Sequence, residues 1–397
     1  MIQGPLGFAS GIPLYLSGTT LAAHLSSEGV SLETVGLFAL VSLPYSLKFA
    51  WAPLLDRFRL PWLDRRRGWI ALFQIALVGL VGAMAFVDAA ASPALIAVVA
   101  LAVAIVSASQ DIVVDAYRTD VLGEHERGRG TAFYVTGYRI ALLCAGSGAL
   151  IVADAWSWRA AYLLMAAMLA LGVVATVLSP APAYDHKPPA TLHSAVIEPF
   201  RELLGRPGAL LILAFVMLYK LGDLLALQMI IPFLLDLDFS KTEVGVIQNG
   251  LGMAATIVGC AIGGVLADRI GVRKSLIAFG ILQAGANVGY LALAISGPDR
   301  TALMAAIGID NVCNGLGTAA FVAFLMSLCD RRFSATQYAL LTSASGLLGR
   351  LLSASSGSLA VGVGWTWFFG LTMFAALPAL ALMLWATEEP DIPPRIA

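Results

Sequence analysis

Apolar residues run along this chain in long blocks, cut by short polar stretches that carry nearly all the charge. Blocks of about twenty residues, wound as α-helix, match the hydrocarbon core of a bilayer. The pattern predicts twelve of them, at 2–24, 32–52, 69–87, 93–118, 130–153, 158–178, 208–235, 243–266, 274–295, 301–328, 335–361 and 364–386. The first begins almost at Met1 and lacks the charged leader and cleavage site of a signal peptide. It reads as a true span, and an upstream start with a longer tail stays open.

Composition agrees with that reading. Of 397 residues 59% are hydrophobic and only 12% charged, where a soluble domain carries about 25%; mean hydropathy is +0.84. The expected class is an all-α polytopic membrane protein. Lys and Arg then set its orientation, because they stay on the cytoplasmic side. Connections after the even-numbered spans, taken with the span ends that flank them and the C-terminal tail, hold seventeen of them, including Arg65, Arg66, Arg67, Arg127, Arg129, Lys274, Arg331 and Arg332; the opposite connections and their flanking ends hold only Arg159, Lys241 and Arg300. Both termini are therefore expected in the cytoplasm.

The longest polar interruption, 180–207, has six of the eighteen prolines and divides the spans six and six. This gives an N-terminal half over 1–179, a cytoplasmic linker over 180–207, and a C-terminal half with a short tail over 208–397. Within the linker, Val196, Ile197, Phe200, Leu203 and Leu204 share one helical face, which predicts a short helix on the inner membrane surface. The halves repeat weakly: Val35-Gly36 with Val244-Gly245, Asp56-Arg57 with Asp268-Arg269, and Trp158 with Trp365 recur in order at nearly constant offset. Parallel six-helix repeats resemble the architecture of the major facilitator superfamily. The run GGVLADRIGVRK at 263–274 resembles that superfamily's cytoplasmic signature, G-x-x-x-D-R-x-G-x-R-K. In it Gly264 permits close helix approach, Asp268 can accept bonds from a helix N-terminus, and Arg269 and Arg273 supply charges for exchangeable partners. The first-half version keeps Asp56 and Arg57 but has Ala52 in place of glycine. Topological arginines alone would not require Gly264 and Asp268 at that spacing, so these six positions are read as gating residues.

Ionisable groups inside spans are costly unless paired or hydrated. Asp111, Asp115 and Arg118 share a face of the fourth span, beside Gln110. Arg139 lies at similar depth in the fifth span and is expected to pair with Asp111. Asp120 reads as a solvated helix end, Lys48 as a snorkelling surface residue, and His24 as interfacial. The second half carries Lys220 and Asp223 in the seventh span, Asp310, Asn311 and Asn314 in the tenth, and Arg350 in the eleventh. Gln228, Gln248, Asn249, Gln283 and Asn287 add amides at membrane depth. Such a spread either lines a water-filled cavity for a large polar solute, anionic by the cations present, or fixes helix register through structural ion pairs. Asp111, Asp115, Asp223 and Asp310 are the carboxylates available to couple transport to protons, the Asp111–Asp115 pair first.

Several functions are not supported. No basic patch with interleaved aromatics points to nucleic acid. Cys144, Cys260, Cys313 and Cys329 have no metal-ligand spacing, and no cofactor is implied. No G-x-x-x-x-G-K-[ST], Ser-His-Asp set or HExxH is present. An enzyme is not expected; energy comes from a gradient, or transport is passive.

The blocks GFASGIPL (7–14), LPYSLKFAWAPLLDR (43–57), RRRGW (65–69), SASQDIVVDAYRTDVL (107–122), LYKLGD (218–223), GILQAGANVGY (280–290), GLGTAAFVAFLMSLC (315–329) and FSATQYALL (333–341) resemble the anhydromuropeptide permeases of the AmpG type, in the family's order. The resemblance implies a bacterial inner-membrane importer of N-acetylglucosaminyl-1,6-anhydro-N-acetylmuramyl peptides, driven by protons and serving peptidoglycan recycling. A monomer in the lipid bilayer is the expected working state. Larger members carry additional hydrophobic segments, and a carrier of another amphipathic anion, such as a siderophore, has a partly similar outline.

Overall fold

A computed structural model describes residues 2–30, 38–89, 91–182, 191–353 and 356–385. Val35-Gly36 lies outside them, as do the side chains of Gln228, Asn249 and Arg350. Among the described residues the secondary structure is helical throughout. The helices are α1 (Gln3–Leu16), α2 (Thr19–Ser27), α3 (Leu43–Leu47), α4 (Ala52–Arg57), α5 (Arg65–Met84), α6 (Pro93–Val121), α7 (Arg127–Leu143), α8 (Ala149–Ala155), α9 (Trp158–Leu178) and α10 (Leu192–Leu204). There follow α11 (Ala209–Leu218), α12 (Leu221–Asp236), α13 (Lys241–Val246), α14 (Met253–Ile270), α15 (Val272–Ala286), α16 (Val288–Ser296), α17 (Arg300–Ser327), α18 (Ser334–Ser353), α19 (Ser356–Phe374) and α20 (Leu377–Trp385).

Nine of the described helical segments are long and apolar enough to cross a membrane. Of the other predicted spans, the first is split at Ser17-Gly18 between α1 and α2, and the second and eleventh include residues outside those described, 31–37 and 354–355. Gly364, with φ 76°, interrupts α19 where the eleventh and twelfth predicted spans meet. The seventh span is also discontinuous, with Tyr219 and Lys220 separating α11 from α12. One turn of π-helix joins α7 to α8 (Cys144–Gly148), and another joins α13 to α14 (Ile247–Gly252).

The chain forms two compact units. The first comprises Met1–Leu122, Phe133–Pro199 and Cys329–Ala339. Its core sets Leu16, Leu21, Leu77, Val81, Val103, Tyr162 and Leu169 together, with a second cluster of Leu6, Leu55, Ile70, Ile112, Tyr117 and Ala335. Glycines bring α1 against α7: a Cβ on Gly11 would stand 2.7 Å from both the Tyr138 carbonyl oxygen and the Ala141 methyl. The second unit comprises Gly123–Ala132, Phe200–Leu328 and Leu340–Ala397. Its core is aromatic, with Phe233, Tyr290, Phe368 and Phe369 fully enclosed beside Leu293, Leu303 and Ile307.

Helix α10 has three faces. Ala195, Pro199 and Leu203 are buried, Val196, Ile197, Phe200 and Leu204 are exposed, and Glu198 and Arg201 occupy the third arc. Leu203 thus lies at the buried edge of the apolar stripe expected for it, about 20° around the helix from Val196 and about 40° from Pro199.

Candidate functional site

In the first unit the polar groups gather on α6. Gln110, fully buried, donates from Nε2 to Ser10 Oγ at 3.2 Å. Asp115 accepts from Arg118 Nη1 at 3.1 Å and lies 3.8 Å from Lys48 Nζ. The Arg118 guanidinium sits 3.9 Å over the Tyr134 ring, and Tyr338 stands beside it. Trp51 Nε1 donates to Ser109 Oγ at 3.0 Å. One oxygen of Asp111 is buried and accepts no hydrogen bond among the described residues.

This arrangement corrects two expectations. Lys48 does not snorkel; it is 14% exposed and turned toward Asp115. Nor does Arg139 pair with Asp111 among the described residues, where Lys48 and Asp115 are the charged groups acting on that carboxylate. The reason lies in the rotation of α7. Tyr134, Gly137, Tyr138 and Ala141 face α1, and Arg139 follows Tyr138 by about 100° around the helix. The expected pairing therefore fails on azimuth.

In the second unit, Lys220 Nζ bonds Asp223 Oδ2 at 3.0 Å across the break between α11 and α12. Asp310 accepts from Gln283 Nε2 at 3.0 Å and from Tyr290 Oη at 3.2 Å, one bond to each oxygen. Asn311 accepts from Thr256 Oγ1 at 3.0 Å, Asn287 donates to Thr372 Oγ1 at 3.2 Å, and Asn314 accepts from Thr318 at 3.3 Å. A cavity of about 10 Å³, room for one water, is lined by Tyr219, Lys220, Asp223 and Gln283. The hydroxyls of Tyr290, Thr256 and Thr372 were not anticipated. Their signal was an isolated hydroxyl within an apolar run.

The third set joins chain segments far apart in sequence. In the first unit, Asp56, wholly buried, accepts from the Thr336 amide at 2.8 Å and its hydroxyl at 2.7 Å, at the start of α18. Arg66 reaches Asp56 Oδ1 at 2.8 Å, Asp120 Oδ2 at 2.8 Å and Ser334 Oγ at 2.8 Å, and Ser334 donates to Asp120 at 2.7 Å. Asp120 is therefore no solvated end. It is 7% exposed and ion-paired, because its partners come from 54 and 214 positions away. Arg65 donates to the Arg331 and Arg332 carbonyls. In the second unit, Asp268 accepts from the Gly128 amide at 2.8 Å and from the Arg129 amide and Nε at 3.0 Å, at the start of α7. Gly264 faces Gly128: a Cβ on Gly264 would lie 2.8 Å from the Gly128 carbonyl carbon. Each aspartate thus occupies a helix N-terminus, where unpaired amides and the dipole favour an anion. Arg57 lies near Phe58, Arg269 is exposed, and Arg273 donates to the Met383 carbonyl at 3.2 Å.

The chain is similar to known proteins in sequence and in fold. Residues 4–354 and 225–396 match the family model described as Major Facilitator Superfamily. The anhydromuropeptide permease of Escherichia coli K12 is 44% identical over 381 residues, covering 96% of this chain and 78% of that protein. A putative transporter, AmpG 4, of Rickettsia felis is 32% identical over 98% of this chain and 96% of its own. Among solved structures, the proton:xylose symporter XylE superposes with a TM-score of 0.71 at 11% identity, covering 98% of this chain and 95% of that one.

Proposed function

The chain belongs to the major facilitator superfamily and, within it, to the anhydromuropeptide permeases, and from that premise we propose that it imports anhydromuropeptides across the bacterial inner membrane by proton-coupled alternating access. It is a multi-pass membrane transporter, not an enzyme. In this reading both termini face the cytoplasm, as the arginine distribution favours, and the protein works as a monomer.

The observation that carries the mechanism is the state of the two α6 carboxylates. Asp115 has two cations within 4 Å, whereas Asp111 has a buried oxygen without a donor among the described residues. A charged carboxylate at membrane depth is stable only when solvated or paired. Asp111 is thus the group to take up a proton, and Lys48 and Arg118 are the charges whose hold on Asp115 changes as access alternates. In the second unit Asp223 is matched by Lys220, and Asp310 accepts from the neutral donors Gln283 and Tyr290. These, with the amides Gln110, Asn287, Asn311 and Asn314, offer donors and acceptors to sugar hydroxyls, amides and carboxylates. Arg139 and, by sequence, Gln228, Asn249 and Arg350 are assigned to the same solute. Asp56 and Asp268, with Arg57, Gly264, Arg269 and Arg273, serve as the gate, releasing and recapturing the helix N-termini they cap.

Uptake of radiolabelled anhydromuropeptide into proteoliposomes, with and without a protonophore, tests this. Accumulation that collapses with the protonophore is expected. An active preparation that takes up no anhydromuropeptide would remove the substrate assignment, and accumulation indifferent to the protonophore would remove the coupling.

A further inference from the structure

A separate cavity lies in the first unit, at the opposite end from its buried arginine cluster. Helix α5 starts at that cluster and runs about 30 Å to Met84; a cavity of about 380 Å³ opens there, among the ends of α2, α5 and α9. That volume suits a small polar ligand. The cavity sits over the buried faces of these helices, since Met84, Ala85, Ala89 and Tyr162 all belong to the core beneath it. Its floor is therefore core, and its walls are the ends of these helices.

Its walls carry both signs of charge. Glu28 and Asp88 contribute carboxylates, and Arg159 contributes a guanidinium held 4.5 Å over the Phe86 ring. Among the described residues neither Glu28 nor Arg159 takes part in an ion pair. Opposite charges that share a cavity without meeting are matched by a ligand that spans them. The floor is aromatic: His24 packs against Trp158 at 4.5 Å and Tyr162 at 5.5 Å between ring centroids. His24 is 5% exposed. One ring nitrogen, Nδ1, meets Tyr162 Oη at 3.2 Å, and the other has no protein partner among the described residues while its side chain lines the cavity. A nearly buried nitrogen with an open position points to a ligand.

We propose that this cavity binds an α-amino-acid zwitterion, with its carboxylate on Arg159 and its ammonium between Glu28, Asp88 and the aromatic floor. A guanidinium matches a carboxylate with two parallel bonds, and an ammonium is held by acids and ring faces together. Resting on the import reading and its orientation, the site is an outer capture point for the peptide part of the substrate, engaged before the solute reaches the polar cluster of α6.

The test uses the full-length protein in nanodiscs labelled with 5-fluorotryptophan, the Trp158 resonance being assigned by its loss in Trp158→Phe. Titration with alanine at millimolar levels should shift that resonance, while N-acetylalanine and alaninamide, each lacking one charge, shift it far less. Arg159→Gln and Glu28→Gln, both at exposed positions, should abolish the alanine shift. In proteoliposomes each should raise KM for anhydromuropeptide at least about tenfold, the worth of roughly one charged hydrogen bond, with kcat unchanged. No alanine shift, an equal response to the blocked compounds, or an unchanged KM in both variants overturns the proposal. A wild-type protein that binds alanine but imports no anhydromuropeptide overturns the substrate reading and leaves the zwitterion site standing.

Discussion

Replacement of Gly264 by alanine offers a quantitative test of the contact between α14 and the start of α7. The added methyl would stand 2.8 Å from the Gly128 carbonyl carbon and 3.1 Å from the Ala132 methyl, where ordinary contact begins at 3.4 Å. The obstacle at Gly128 is backbone, which cannot rotate aside as a side chain does. The start of α7 must therefore retreat by at least 0.6 Å, the difference between 3.4 and 2.8 Å. That retreat stretches the Asp268 bonds to the Gly128 and Arg129 amides from 2.8 and 3.0 Å to the edge of hydrogen-bonding distance. Bonds to a charged acceptor contribute about 1.5–3 kcal/mol each. The Arg129 guanidinium is 60% exposed and adds little. Loss of most of the two amide bonds costs about 3 kcal/mol, or about a hundredfold in local opening. Hydrogen exchange followed by mass spectrometry on the peptide spanning 123–132 reads this directly: Gly264→Ala should speed exchange of those amides by about that factor. Asp268→Asn should do nearly the same, and the double variant should add little, because both changes remove one interaction. Unchanged protection in Gly264→Ala, or fully additive effects, would refute the argument.

Other outcomes follow from the same geometry. Arg66→Ala strands Asp56 and Asp120 without their shared cation, which should cost about 3–5 kcal/mol, seen as a large drop in Tm of the purified protein. Arg66→Lys should recover only a minor part, because a single ammonium cannot reproduce the fork that reaches Asp56, Asp120 and Ser334. Asp111→Asn and Asp115→Asn should each abolish proton-driven accumulation while sparing counterflow; normal accumulation by both variants would refute the coupling role of α6. Asp111→Asn and Arg139→Gln should affect stability additively to within about 0.5 kcal/mol, since α7 turns Arg139 away, and a strong coupling between them would restore the discarded pair.

The sequence and the structure agree best where one helix supplies the whole argument. Block lengths located the spans, and spacing along α6 and α12 brought Asp115 to Arg118 and Lys220 to Asp223, because neighbours three residues apart share a face whatever surrounds them. Depth could also be counted along a helix, so Asp111 and Arg139 were put at one level. Rotation could not, since it is decided by which face a neighbour covers; here glycines of α1 select the Tyr134–Tyr138 face. Asp120 failed for a related reason. Its surroundings include Ser334, and no local pattern announces that a serine so distant will arrive. The break between α11 and α12 was equally hidden, because LYKLGD has neither proline nor a turn dipeptide. Even so, the isolated pair Lys220 and Asp223 marked the place where a regular apolar helix would have been costly.

The capping of α18 by Asp56 also has a meaning in time. Thr336 is made 280 residues after Asp56, and Ser334 comes 214 residues after Asp120. At ribosomal rates of about 5–20 residues per second, the second interval alone lasts about ten to forty seconds. Throughout it the early part of the chain is in the membrane with Arg66, Asp56 and Asp120 closed only upon one another. A nascent protein stalled before residue 334 would hold every span of its first half and still lack the segment that completes it. Commitment of the first unit to its native state would then wait on a segment made 214 residues after Asp120.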